Sequence, residues 1–320
     1  MARFGYFLSS EEFGPRELVA QAKRAEQAGF EALWISDHFH PWTEKQGNSG
    51  FVWSMIGAIA EATDAIPLTT AVTCPTLRIH PAIIAQATAT SALLMGEGRF
   101  FFGVGTGESL NEHIFGDHWP SIDLRLEMLE ESIEVIRRLW TGEQVTHRGK
   151  HYTVETAKLY SIPDTPPPVY VSGFGPKAIK LAAKIGDGFC NVQPDAEQVE
   201  LFRSSGGGDK VAQGGTKVCW GEDEAAARRT AFETWPNEGL EGELAQLLPT
   251  PAHFEQATSL VTEEMIGASM ACGPDLDAHV AQLQAYVDAG YDEVFVQQIG
   301  PDQEGFFKAY ESEVLPRLRS

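Results

Sequence analysis

Arg99-Phe100-Phe101-Phe102-Gly103-Val104-Gly105-Thr106-Gly107-Glu108-Ser109-Leu110-Asn111-Glu112 is the segment on which the reading of the fold turns. Its first half is a short apolar run, the length of a buried strand. Its second half is a loop of alternating glycines that reaches a carboxylate and opens into a helical pattern. Working outward, the same strand–loop–helix unit recurs along the chain. Candidate strands lie at Phe4–Leu8, Ala32–Ser36, Leu68–Thr73, Arg99–Gly105, Val169–Gly173, Gly188–Val192, Lys217–Trp220 and Glu293–Gln298. Eight such strands alternating with helices predict an α/β fold, a closed (β/α)8 TIM barrel.

The helical segments agree with this. Pro15 opens Pro15–Ala28 at the first helical position, and Gly29 stops it. After Ser121, the residues Leu126, Leu129, Ile133, Ile136 and Trp140 fall on one helical face. Leu276–Ala289 ends at Gly290, before the last strand. Residues 1–320 read as a single domain. Two insertions break the repeat, near 141–168 and near 238–258, and Arg203–Gly215 reads as a glycine-rich connection. Long segments of this kind serve as lids, binding loops or interface arms.

The chain has 320 residues, with 24 lysines and arginines against 45 aspartates and glutamates, a formal charge of −21. Such a surface repels phosphate backbones and anionic lipid, which argues against nucleic acid and membrane as partners. The four cysteines, Cys74, Cys190, Cys219 and Cys272, form no C-x-x-C pair, so no metal site is expected. The N-terminus reads as a first strand and no run of 18 apolar residues occurs, which predicts a cytoplasmic protein.

In such a barrel the chemistry sits where the strands end. The second strand is followed by Ser36-Asp37-His38-Phe39-His40-Pro41-Trp42, where His38 is a candidate general base. The third runs into Ala71-Val72-Thr73-Cys74-Pro75-Thr76, small enough for a flat ring to lie against. The fourth brings Gly105 and Gly107, where backbone can approach a ligand closely, and Glu108, a candidate acid. Glu112 is expected on the surface of the following helix. The fifth ends in Ser172-Gly173-Phe174-Gly175-Pro176 before a helix, the best anion site in the chain.

Together these segments resemble the luciferase-like (bacterial luciferase) superfamily of flavin and deazaflavin barrels, and within it the coenzyme F420-dependent glucose-6-phosphate dehydrogenase family. The likeness extends to Ser10-Glu11-Glu12-Phe13, Pro81-Ala82-Ile83-Ile84-Ala85-Gln86-Ala87 and Val314-Leu315-Pro316-Arg317-Leu318. The resemblance implies an oxidoreductase that moves hydride between a substrate carbon and C5 of the 8-hydroxy-5-deazaflavin. It implies His38 as base, Glu108 as acid and Trp42 beside the reacting centre. Asp37, Ala71, Val72, Cys74, Gly105, Gly107, Asn111, Ser172, Gly173, Phe174 and Gly175 would hold the coenzyme, with a non-prolyl cis peptide at Ala71–Val72. Glu11 and Trp235 are expected at the substrate, and a homodimer is implied. The family's substrate-phosphate clamp of two lysines and an arginine aligns with Asp195, Ala245 and Ser269, none of them basic. A neutral or cationic alcohol or sugar is therefore expected in place of glucose 6-phosphate. The alternatives are an FMN-dependent luciferase-like monooxygenase and a non-catalytic deazaflavin-binding protein.

Overall fold

The barrel strands are short because each needs only enough apolar residues to cross one closed core. In the computed structural model, which describes residues 2–319, they are β1 (Arg3–Leu8), β2 (Ala32–Ile35), β3 (Leu68–Thr70) and β4 (Phe100–Val104). After a two-stranded hairpin, β5 (Val145–Arg148) and β6 (Thr153–Ala157), come β7 (Val169–Ser172), β8 (Gly188–Asn191), β9 (Val211–Val218) and β10 (Glu293–Gln298). The closed order is β1-β10-β9-β8-β7-β4-β3-β2. Every neighbouring pair is parallel, and Phe4 stands opposite Val294 where the first strand meets the last. The expected (β/α)8 barrel is therefore the fold.

Two features of the sequence read differently once folded. The seventh barrel strand runs over Val211–Val218, beginning six residues before the expected Lys217. Its two glycines, which signalled a loop, are there for close packing: Gly214 against Tyr286 and Gly215 against a ring in the barrel interior. Trp34 and Phe295 stack at 4.5 Å and 9° inside the barrel. A Cβ at Gly215 would stand 2.2 Å from Trp34, and one at Gly5 would stand 2.3 Å from Phe295. Two glycines thus make room for two rings. Beside the stack, Trp34 donates to Gln213 at 2.9 Å, and Gln213 donates to Glu293 at 2.6 Å. The second difference lies in the 141–168 insertion, which contains the antiparallel hairpin β5–β6.

The helices pack outside. Pro15–Gln27, Val52–Ala62, Pro81–Met95 and Ile122–Trp140 each bury one apolar face against the strands. The 238–258 insertion carries the short helices Leu244–Leu247 and Pro251–Ala257. Phe254 from the second of these is buried against Trp42, their rings 5.2 Å apart. No helix among the described residues is long and apolar enough to cross a membrane.

Candidate functional site

The C-terminal ends of β1, β2, β3, β4 and β7 bring together most of the residues singled out from sequence. His38 follows β2. Its Nδ1 lies 3.1 Å from the carbonyl of His40, so Nδ1 carries the proton and donates it there. Nε2 is left facing Oε1 of Glu11 at 3.4 Å. The other oxygen of Glu11 accepts from Ser9 Oγ at 2.9 Å and from Ser36 Oγ at 2.7 Å. Glu11 is buried and fixed by two hydroxyls, so it stands where positive charge would develop on the imidazole. Trp42 lies against His38, ring centroids 4.8 Å apart.

Glu108 caps the turn Ser109–Glu112 and is half-buried. Asn111, buried, joins it to the loop that carries His38. Its Oδ1 accepts from the backbone N–H groups of Phe39 at 2.9 Å and His40 at 3.1 Å, and its Nδ2 donates to Glu108 Oε2 at 3.4 Å. Candidate base and candidate acid therefore sit on two loops held by one amide.

Asp37 is buried and both its oxygens are engaged. Oδ1 receives Arg78 Nη2 at 2.9 Å and Oδ2 receives Thr73 Oγ1 at 2.8 Å. Glu112, expected on a helix surface, is buried instead. It accepts from the backbone N–H of Arg78 at 2.8 Å and from Arg78 Nε at 3.4 Å. The reason is tertiary: the chain after β3 folds under the turn after β4 and brings a guanidinium to meet it. Burial pushes the Glu112 carboxyl up to about 7, against the pull of Arg78. Burial alone would lower the affinity of Arg78 for its proton, but Asp37 and Glu112 more than offset this and raise it. Arg78 drew no attention in the sequence. The one available signal was an arginine set between Leu77 and Ile79 in a loop otherwise built of small and apolar residues.

The Ala71–Val72 peptide is cis, as the resemblance implied. A Cβ on Gly105 would come within 2.8 Å of Val72. Gly107 has φ +75°, and a Cβ there would lie 2.6 Å from Cys74 Sγ. Cys74 is buried beneath this loop, bonded at 3.0 Å to Thr76, and burial raises its thiol well above the ordinary range. On the far rim, Gly173 packs under the helix Pro176–Ile185, while Phe174 and Gly175 are exposed. Gly175 is the N-cap and no side chain caps this helix, which leaves its first N–H groups open beside Ser172. A glycine-lined cradle on one side and an uncapped helix start on the other fit a flat ring with an anionic tail.

Trp235 lies deeper than a mouth residue. It is 2% exposed, donates to Glu12 Oε2 at 2.8 Å and packs with Cys219, Ala231, Ile266 and Ile299. A cavity of about 670 Å³ lies beside this wall, lined in part by Glu12, Gln21, Lys45, Gln46, Glu233 and Gln303; neither His38 nor Glu108 lines it. The basic residues near the expected phosphate clamp are engaged elsewhere. Lys210 bonds the carbonyl of Ala183 at 2.8 Å, and Arg203 bonds Gly290 and Asp292. Asp195 caps the helix Ala196–Phe202. Among the described residues no group of His, Cys, Asp and Glu could hold a metal ion.

The chain is similar over its full length to proteins already described. It is 35% identical over 336 residues to the F420-dependent glucose-6-phosphate dehydrogenase of Amycolatopsis mediterranei, covering 100% of this chain and 99% of that one. It is 37% identical to the enzyme of the same name from Segniliparus rotundus, covering 99% and 98%. Among solved structures, an F420-dependent secondary alcohol dehydrogenase in complex with an F420-acetone adduct superposes with a TM-score of 0.89 at 31% identity, covering 100% and 99%. The family model described as luciferase-like monooxygenase matches residues 1–293. A closed parallel barrel with these strand ends, matched by that model over nearly its whole length, belongs to the luciferase-like monooxygenase family.

Proposed function

We propose that this chain is a coenzyme F420-dependent oxidoreductase acting on the CH–OH group of a neutral or cationic alcohol or sugar. The observation that carries this reading is the joining of His38 and Glu108 across two strand ends by Asn111. The names of the relatives support the coenzyme. The cradle of Ala71, Val72, Gly105 and Gly107 would lie under the ring, and Ser172 to Gly175 would hold the phosphate. When bound, the coenzyme supplies a carbon atom able to accept a hydride.

The protein's own residues then handle the proton. In its neutral form, with the ring proton on Nδ1, His38 removes the proton of the substrate hydroxyl through Nε2. Glu11 receives the positive charge that follows, and its two serine hydroxyls keep it in place. Trp42 and Phe254 close the apolar side and exclude water. Glu108 stands at the opposite edge as the acid, oriented by Asn111. Asp195 in a cap and Lys210 and Arg203 turned elsewhere support a substrate without phosphate. Exposed Ile83, Leu93 and Leu94 on Pro81–Met95 support the homodimer.

The test is anaerobic titration of the purified protein with F420, followed by a screen of alcohols, sugars and sugar phosphates. Oxidation of an uncharged or cationic alcohol, lost by a factor of about 10² to 10⁴ in His38→Ala while coenzyme still binds, is the expected result. A tightly held FMN with no F420 binding would establish the monooxygenase alternative. Coenzyme binding with an unchanged rate in His38→Ala would remove His38 from the chemistry.

A further inference from the structure

We propose that Arg78 is the positioning residue of this site, the cation that sets the distance between the loop of His38 and the turn of Glu108. The inference rests on the reading of His38 and Glu108 as base and acid. Arg78 touches neither. Its guanidinium side chain is 6% exposed, Asp37 is fully buried, and Glu112 is 1% exposed. The cation bonds Asp37 Oδ1 with Nη2 at 2.9 Å, and Asp37 is the residue directly before His38. It reaches Glu112 with Nε at 3.4 Å and with its backbone N–H at 2.8 Å, and Glu112 ends the turn that Glu108 begins. Thr73 pins the second oxygen of Asp37. The ends of β2 and β3 and the turn after β4 thus meet on one guanidinium.

The arrangement has a plain physical purpose. His38 and Glu108 stand on loops, and loops hold a reacting geometry only when something rigid ties them together. Asn111 makes one tie through the backbone of Phe39 and His40. His40 Nδ1 makes another at 2.8 Å to the carbonyl of Leu110; both lie on one side of His38, which leaves a hinge there, and Arg78 supplies the tie on the other side. Its planar fork addresses two carboxylates in fixed directions, which the single ammonium of a lysine does not. Charge follows the same logic: without the guanidinium, Asp37 and Glu112 would be buried carboxyl groups with no cation to hold their two loops to one another.

The test is Arg78→Lys, which keeps the charge and loses the fork, examined beside Asn111→Ala and the double variant. Expected for Arg78→Lys is a fall in kcat of about 10- to 100-fold, with the alcohol KM and the F420 Kd, read by fluorescence titration, each within about threefold of the parent. The pH midpoints should stay where they were. Because both residues act through one separation, the double variant should lose much less than the product of the two single losses. A parental kcat in Arg78→Lys would overturn the proposal, as would equal losses in kcat and coenzyme affinity, which would make Arg78 a coenzyme ligand. If Arg78→Lys does not fold, Glu112→Gln, which leaves the guanidinium only one carboxylate, must show a kcat loss with unchanged Kd, and its failure to do so overturns the proposal. Failure of the unaltered protein to bind F420 is a separate outcome that removes the underlying reading.

Discussion

Replacing Glu112 by glutamine should change how the stability of this protein depends on pH, and the size of the change can be worked out. The carboxyl is 2% exposed and burial raises it from an ordinary value of 4.5 to about 7. Below pH 4.5 the group is protonated in both folded and unfolded chains and costs nothing. Between pH 4.5 and 7 the unfolded chain has released its proton while the folded one still holds it, so stability falls as pH rises. Above 7 both are ionised and the loss is complete. At about 1.4 kcal/mol per pH unit, the window amounts to at most about 3.5 kcal/mol. For a chain of this length that corresponds to at most about 5 °C in Tm. Glu12 carries a similar rise, and buried His279 a shift of opposite sign, so the parent's own profile mixes several groups. The difference between parent and Glu112→Gln isolates one. Urea unfolding at half-unit steps from pH 4.5 to 8 should show the variant gaining on the parent through the window and running parallel above it. Parallel curves over the whole range would mean that Glu112 is ionised in the folded protein at low pH, and the reasoning about its burial would be wrong.

Gly215→Ala places a Cβ 2.2 Å from Trp34 in the barrel interior, so it should cost about 1–3 kcal/mol in urea unfolding; an unchanged midpoint would show that the Trp34–Phe295 stack moves freely. Light scattering at low protein concentration should return twice the mass of one chain, and a monomer mass would end the proposal of a homodimer.

Much of the architecture was legible before any coordinates. The short apolar runs, each followed by a polar loop and a helical stripe, specify a parallel sheet with both faces covered, and eight such units in succession point to closure into a barrel. His38, Glu108 and the glycines of the fourth loop could be placed at the catalytic rim for the same reason: strand ends in this fold all open on one face. The limit appeared where a residue's role depends on contacts distant in sequence. Gly214 and Gly215 signalled a loop, because nothing local reveals that Tyr286, some 70 residues later, and Trp34, some 180 residues earlier, occupy the space that side chains there would need. The pattern around Glu112 placed it on a solvated helix face. Arg78 lies 34 residues away, and only the closure of the barrel brings them together. The sequence determined that this chain forms a barrel and which loops carry its ionisable groups, since hydrophobic period and turn chemistry are local. Only the tertiary structure decided that Asp37 and Glu112 spend their charge on Arg78, that Trp235 is walled in, and that His38 faces Glu11. Pairing of buried charges depends on where distant segments meet, and no periodicity records that.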